Sequence, residues 1–278
     1  FWSDWNRALA REFPRLTVVG EIFDQRPEVT SFFQGGRARF DRIDTNLYTV
    51  FDFPSYFAIR DAFIKNQTLK RLTDVLGQDH LYTNPRTLVT FLGNHDVARF
   101  MGEKGATLSG LKLAYTYLLT MRGTPQLYYG DEIGMEGDTD PDNRRDFPGG
   151  FAGDNRNAFT PSGRTGKERS IFKHVNTLLR LRAKHESLQV GDMKILTVSD
   201  GTLAFMRESS GDRVIVAINN SDGPARLDIP VSAAPRGRAA VWVESLYGKL
   251  RARAKGGKIR VSIPPKDSLV LSARRAGG

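Results

Sequence analysis

Short apolar runs, each followed by a stretch of helical periodicity, constrain this chain more than any other feature of its sequence. "LTVVGE" (16–21) is rich in β-branched residues and lacks polar–apolar alternation, which suits a strand buried on both faces of a parallel sheet. "LYTVFDF" (47–53) leads into helical "SYFAIRDAFI" (55–64) and a second helix over 68–77. "TLVTFL" (87–92) leads through a loop into "LSGLKLAYTYLLTM" (108–121), where Leu111, Tyr115, Leu118 and Leu119 recur at helical spacing. "PQLYY" (125–129) reads as a fourth strand, and "SIFKHVNTLLRLRAKH" (170–185) as the closing amphipathic helix. Strands that alternate with helices in this way imply consecutive βα units. An opening helix precedes them, marked by Phe1, Trp2, Trp5, Leu9 and Phe13 and ended by Pro14.

The pattern changes after Glu186. "MKILTVSDGTLAFMRE" (193–208) is a hairpin around Ser-Asp-Gly, and "RVIVAINNS" (213–221), "AAVWVESLYG" (239–248) and "KIRVSIPPKDSLVLSA" (258–273) continue as short strands. The chain therefore divides into βα units over 1–187 and an antiparallel β-sandwich over 188–278. The sandwich has few aromatic residues (Phe205, Trp242, Tyr247), which favours packing against the first domain over a separate starch-binding role.

Composition removes several function classes. The net charge is +10, but its late basic clusters, "RLRAKH" (180–185) and "GKLRARAKGGKIR" (248–260), lack interleaved aromatics or finger spacing. A solvated basic surface is expected, with no nucleic-acid partner. No apolar run nears the roughly 20 residues that cross a bilayer, so no membrane partner is expected. Cysteine is absent, which removes disulfides and thiolate metal sites. His174 and His185 lie eleven residues apart on one helix, about three turns, too far to share an ion, and His95 has no second His at ligand spacing. No metal site is expected within the chain.

In a βα barrel, catalytic groups sit at the carboxyl ends of the strands. Here three of the four strands end in this way: the first in Gly20-Glu21, the third in Gly93-Asn94-His95-Asp96 and the fourth in Gly130-Asp131-Glu132. Glu21 follows "TVVG", so its carboxyl group is expected at the edge of a dry environment, where burial raises its pKa and suits it to act as a general acid. The competing reading is a surface or capping Glu. Asp96 offers a charge to a developing cation; the competing reading is an Asx turn, which accounts for Asn94 or Asp96 but not for His95. The loop over 130–167 far exceeds the usual connection of roughly 4–6 residues and is expected to be functional. Aromatics near this rim (Phe23, Tyr48, Phe51, Phe147, Phe151, Phe159) suit stacking on sugar faces, and equally suit a core. Paired carboxylates in such surroundings fit glycoside hydrolysis.

Taken together, these motifs resemble the α-amylase family of (β/α)8-barrel glycoside hydrolases, near its neopullulanase and cyclomaltodextrinase branch. "VVGEIFD" (18–24) is similar to the segment that carries the general acid, which implies that role for Glu21. "FLGNHD" (91–96) is similar to the segment of the transition-state-stabilising aspartate, which implies Asp96, with His95 and Asn94 as substrate-binding neighbours. "GTPQLYYGDEIGM" (123–135) resembles the last barrel strand, and "DPDNR" (140–144) resembles a loop in which Asp140 and Arg144 grip a donor-side sugar. "DFPGGF" (146–151) resembles the neopullulanase-like branch. The implied fold is the second half of a (β/α)8 TIM barrel followed by a C-terminal β-sandwich. The implied partner is an α-glucan oligosaccharide; the sequence leaves the compartment open, with periplasmic or secreted placement slightly favoured over cytoplasmic.

One departure stands out. The family's nucleophile is an Asp in a Gly-x-Arg-x-Asp segment, and nothing in residues 1–20 matches it. The expectation is a chain that begins after the nucleophile strand and is inactive by itself. Any Ca2+ site would then lie in the missing N-terminal part. The alternative is a non-catalytic amylase-like domain serving interaction or transport, which would be expected to lose the very positions retained here.

Overall fold

The computed structural model describes residues 1–231, 241–246 and 250–275. Tyr247 lies outside them.

Four short parallel strands form the first half of the fold: β1 (Val19–Gly20), β2 (Thr49–Val50), β3 (Val89–Phe91) and β4 (Thr124–Gln126). β1 pairs with β2 in parallel and β3 with β4, and a bridge between Phe51 and Val89 joins the two pairs, so spatial order follows chain order. Consecutive parallel neighbours connected through helices are the arrangement of a βα barrel wall.

The helices are α1 (Trp2–Glu12), α2 (Pro27–Phe33), α3 (Phe53–Phe63), α4 (Lys70–Leu76), α5 (Leu108–Thr120), α6 (Gly166–Lys184) and α7 (Glu186–Val190). Local chemistry sets their starts. Asp52 caps α3 by accepting from Ser55 N at 3.1 Å, and its other oxygen pairs with buried Arg122. Thr107 caps α5, and Thr165 with Glu168 forms a capping box on α6. That box starts α6 four residues before the periodic stretch beginning at Ser170.

One expectation is corrected here. The run 16–21 is not buried on both faces: β1 has β2 as its one described neighbour, and Leu16 and Val19 are exposed. Its apolar side chains therefore face open space. The opening helix forms as expected, yet Trp2, Trp5 and Phe13 are exposed and Asn6 is its buried residue. Periodicity locates a helix but does not by itself supply the surface that covers it.

The second half is an antiparallel sandwich. Its large sheet runs β10-β9-β12-β7-β6-β5, built from β5 (Asp192–Val198), β6 (Thr202–Glu208), β7 (Arg213–Asn219), β9 (Val241–Ser245), β10 (Arg251–Arg253) and β12 (Asp267–Arg275). The opposing pair is β8 (Ala225–Pro230) with β11 (Lys258–Ile263). β8 and β10 add to the strands expected from sequence; "RAR" is too short and polar to stand out, whereas "ARLDIP" does carry the alternation of a half-buried strand. Ala204, Ile215, Ala217, Leu227, Ile229, Val261 and Leu271 fill the space between the layers.

A single core joins the two halves. Leu118 and Tyr117 of α5 belong to the same buried cluster as Phe205, Val216 and Val270 of the sandwich, with the Phe205 ring 5.9 Å from that of Tyr117. Packing is thus the role of Phe205. Polar ties cross the same seam. Asn220 Nδ2 donates to Ala62 O at 2.8 Å. Arg207 of β6, buried, donates to Thr120 O at 2.8 Å, to Met121 O and to Gly191 O at 2.9 Å. These carbonyls include the C-terminal end of α5, where a cation is favoured. Desolvation, helped by nearby Arg182 and Arg122, pushes the Arg207 guanidinium down to about 9. Arg207→Met would leave buried carbonyls without donors, each such loss costing about 1–3 kcal/mol. We expect a loss of about 2–4 kcal/mol in urea unfolding; a change below about 0.5 kcal/mol, the level of an ordinary surface substitution, would show that other donors replace it.

Candidate active site

The carboxyl end of β3 decides between the turn and the site, and both are present. Asn94 is buried, and its Oδ1 accepts from Asp96 N at 2.9 Å, which is an Asx turn. The turn spends Asn94 and leaves the next two side chains pointing outward, His95 at 62 % and Asp96 at 39 % exposure. Asp96 Oδ2 lies 3.2 Å from His95 Nε2, and Asp96 Oδ1 lies 3.2 Å from Arg144 Nη2. Arg144 Nε donates to His95 O at 2.9 Å and stands 3.4 Å from Asp140 Oδ1. The structure thus gathers Asn94, His95, Asp96, Asp140 and Arg144 into one cluster, drawn from the loops that follow β3 and β4. Ion pairs this exposed add about 0–1 kcal/mol to stability. Their consequence is chemical: a carboxylate is held between a cation and an imidazole and faces solvent.

Glu21 stands apart from this cluster. It follows β1 directly, and no hydrogen bond or ion pair ties it to the five residues. It lines a cleft of about 750 Å³ together with Trp2, Trp5, Phe33 and Ile43. The dry environment expected around it is absent: Glu21 is exposed, because the strand before it has one flank uncovered. Of the rim aromatics, Phe51 is partly buried against Phe91, with ring centroids 5.5 Å apart, whereas Phe23, Tyr48, Phe151 and Phe159 are exposed. Phe147 packs on Phe159 with centroids 4.4 Å apart.

Two residues behind the cluster, Arg99 and Asn143, received no role from the sequence. Arg99 is fully buried; its Nη1 donates to Asp131 Oδ1 at 2.8 Å and to Tyr129 O at 2.6 Å, and its Nε donates to Asn143 O at 2.9 Å. Asn143 Nδ2 donates to His95 O at 2.9 Å and to Val97 O at 3.0 Å. The one available signal was a lone Arg between Ala98 and Phe100, since a cation in an apolar run requires a partner when buried.

Burial pushes the Asp131 carboxyl up to about 7, while Arg99 pulls it down. A carboxyl group raised in the folded state holds more protons there than in the unfolded chain between pH 3.8 and about 7. Its contribution to stability is therefore present below pH 3.8 and is lost as pH rises to about 7. Asp131→Asn removes this term. The wild type should lose stability relative to the variant across that window, by at most about 1.4 kcal/mol per pH unit. Denaturation midpoints at several pH values check this, and parallel curves for the two proteins would refute it.

Among the described residues, no three His, Asp or Glu side chains gather so as to hold a metal ion. No described helix is long and apolar enough to cross a membrane.

Polar groups displayed at the carboxyl ends of consecutive parallel strands, with a sandwich fused through one core, define a βα-barrel wall joined to a C-terminal β-domain. The α-amylase catalytic-domain family model matches residues 1–191, and the maltogenic amylase C-terminal-domain model matches residues 193–270. The chain belongs to the α-amylase family. It is 28 % identical over 271 residues to a cyclomaltodextrinase of Geobacillus thermopakistaniensis, covering 95 % of this chain and 41 % of that protein. It is 27 % identical to neopullulanase 2 of Thermoactinomyces vulgaris, covering 98 % and 42 %. Its fold matches that of an α-amylase from Geobacillus thermoleovorans, solved with acarbose, at a TM-score of 0.81 and 24 % identity over 99 % of this chain and 57 % of that one. The 278 residues thus span less than half the length of these curated relatives.

Proposed function

We propose that these residues supply the acid and the stabilising carboxylate of a retaining glycoside hydrolase that cleaves α-1,4 bonds of maltodextrin, cyclodextrin or pullulan type. The observation that carries this reading is Asp96, held between His95 and Arg144 with Asp140 alongside, at the end of a parallel strand. An exposed carboxylate held by the Arg144 donor, with the His95 ring beside it, can face the ring of a sugar whose anomeric carbon becomes cationic, and can stabilise it as charge develops. His95, with its ring exposed, reaches substrate hydroxyls, and the Asp140–Arg144 pair offers an acceptor and a fork of donors to the next sugar. Glu21, two strands away, protonates the departing oxygen and then takes a proton from water.

Retention also requires a nucleophilic carboxylate about 5–5.5 Å from the acid. Asp4 is the one Asp preceding β1, and it does not suit that role: it sits on α1, 82 % exposed and paired with Arg7 at 3.3 Å. The 278 residues alone are therefore expected to show no turnover of maltohexaose. Joined to the N-terminal βα units of the Geobacillus cyclomaltodextrinase, they are expected to reach about 1 s⁻¹ or more, within the ordinary enzyme range. Family-like rates from the 278 residues alone would contradict the assignment, as would a folded fusion without activity.

A further inference from the structure

We propose that Arg99 is a positioning residue that locks the loop bearing Arg144 onto the loop bearing His95 and Asp96, acting through Asn143. The inference rests on the site reading above and adds the device that holds the two halves of that site in register.

The two loops meet through buried groups. From the far side, Arg99 takes three acceptors of the 129–143 segment with its guanidinium: Tyr129 O, Asp131 Oδ1 and Asn143 O. Its own backbone N donates to Gly137 O at 2.9 Å, a fourth tie to the same segment. The rings of Tyr128 and Tyr129 lie side by side against the guanidinium, with centroids 4.4 and 4.7 Å from its carbon. From the near side, Asn143 returns both of its amide contacts to His95 O and Val97 O. Arg144 is the next residue, so its guanidinium is delivered to His95 O and Asp96 by a backbone already fixed at Asn143.

Close backbone approach supports the same conclusion. A Cβ placed on Gly137 would meet Asn143 Cα and Asp142 O at 2.8 Å, and one on Gly102 would meet Gly137 O at 2.2 Å. The segment is therefore seated with no room for a side chain, directly over the Arg99 side chain. A lysine cannot reproduce the arrangement, because a compact ammonium lacks the planar fork that reaches three acceptors at fixed angles. Arg99 touches no part of the exposed cluster itself; everything it does for Asp96 and Arg144 passes through Asn143 and the loop backbone. A displacement of about 1 Å at such a site is enough to cost two orders of magnitude in rate.

The 278-residue chain tests this without any substrate. Arg99→Met should speed amide hydrogen exchange about tenfold or more over both 94–98 and 137–145, with exchange in α5 unchanged, because local opening is governed by local contacts. The ring nitrogen signals of His95 should move as its contact with Asp96 is lost, a signature that a role confined to the 129–143 loop would not produce. Arg99→Lys should fail to restore either. Asn143→Asp keeps the size but removes both donors, so it should loosen 94–98 and shift His95 as much as Arg99→Met does; the double variant should go no further, since both act along one route. Unchanged exchange over 94–98, or an unmoved His95 in Asn143→Asp, would overturn the proposal; the second decides even if Arg99→Met does not fold. None of these readouts needs a sugar. A folded but inactive fusion would therefore strike the functional reading and leave the lock to stand or fall on exchange alone.

Discussion

Glu21→Gln, in a barrel completed by the N-terminal units of the cyclomaltodextrinase relative, is expected to lower kcat/KM for maltohexaose by at least about a hundredfold. The glycosidic oxygen of a sugar leaves as a poor anion, so its departure requires a proton in the transition state. A Gln at the end of β1 keeps the size and the hydrogen-bonding reach of Glu21 but has no proton to give. The basic limb of the pH profile for kcat/KM should vanish with it, because that limb reports loss of the essential acid. Exposure of Glu21 in the 278 residues makes this a demanding test. The side chain is exposed, so its replacement should leave unfolding unchanged while turnover collapses. Near-normal turnover of maltohexaose would remove Glu21 from the mechanism.

Asp96→Asn is expected to cost about 10²–10³-fold or more in kcat, the magnitude found when one preorganised electrostatic partner of a transition state is removed. Here the geometry predicts a second effect. Asp96 holds His95 and Arg144 by its two oxygens, and an amide cannot accept through both. The side chains that address the sugar should then lose their shared anchor, so KM rises as kcat falls. Both limbs of the pH profile should survive, since the acid at Glu21 is untouched. A variant whose kcat falls less than about fivefold, a loss of only about 1 kcal/mol, would show that Asp96 faces something other than a developing charge.

The order of elements was legible because parallel strands and their covering helices impose different periods on the same apolar residues. Strand length was less so: Leu127, Tyr128 and Tyr129 continue an apolar run but lie beyond the sheet, which ends at Gln126, and the rings of Tyr128 and Tyr129 rest against Arg99. Asn94, His95 and Asp96 were legible as polar groups at a strand end, whereas Asp140 and Arg144 were singled out by the resemblance of "DPDNR". Burial around Glu21 was misjudged because an apolar run reports an appetite for cover, and β1 has one described neighbour. Arg99 and Asn143 escaped for the opposite reason. Apart from Asp131, their partners are backbone carbonyls, and backbone acceptors leave no trace in sequence.

The assignment of Glu21 as acid and Asp96 as stabiliser is tested most directly by comparing two substrates, maltohexaose and 2,4-dinitrophenyl α-maltoside, through kcat/KM in the completed barrel. Dinitrophenolate departs without a proton, so Glu21→Gln should recover most of its loss on that substrate, narrowing a deficit of at least about a hundredfold to within about tenfold. Asp96→Asn should remain as impaired on one substrate as on the other, because both pass through the same cationic sugar. Equal deficits for the two variants on both substrates, or recovery by Asp96→Asn in place of Glu21→Gln, would contradict the account.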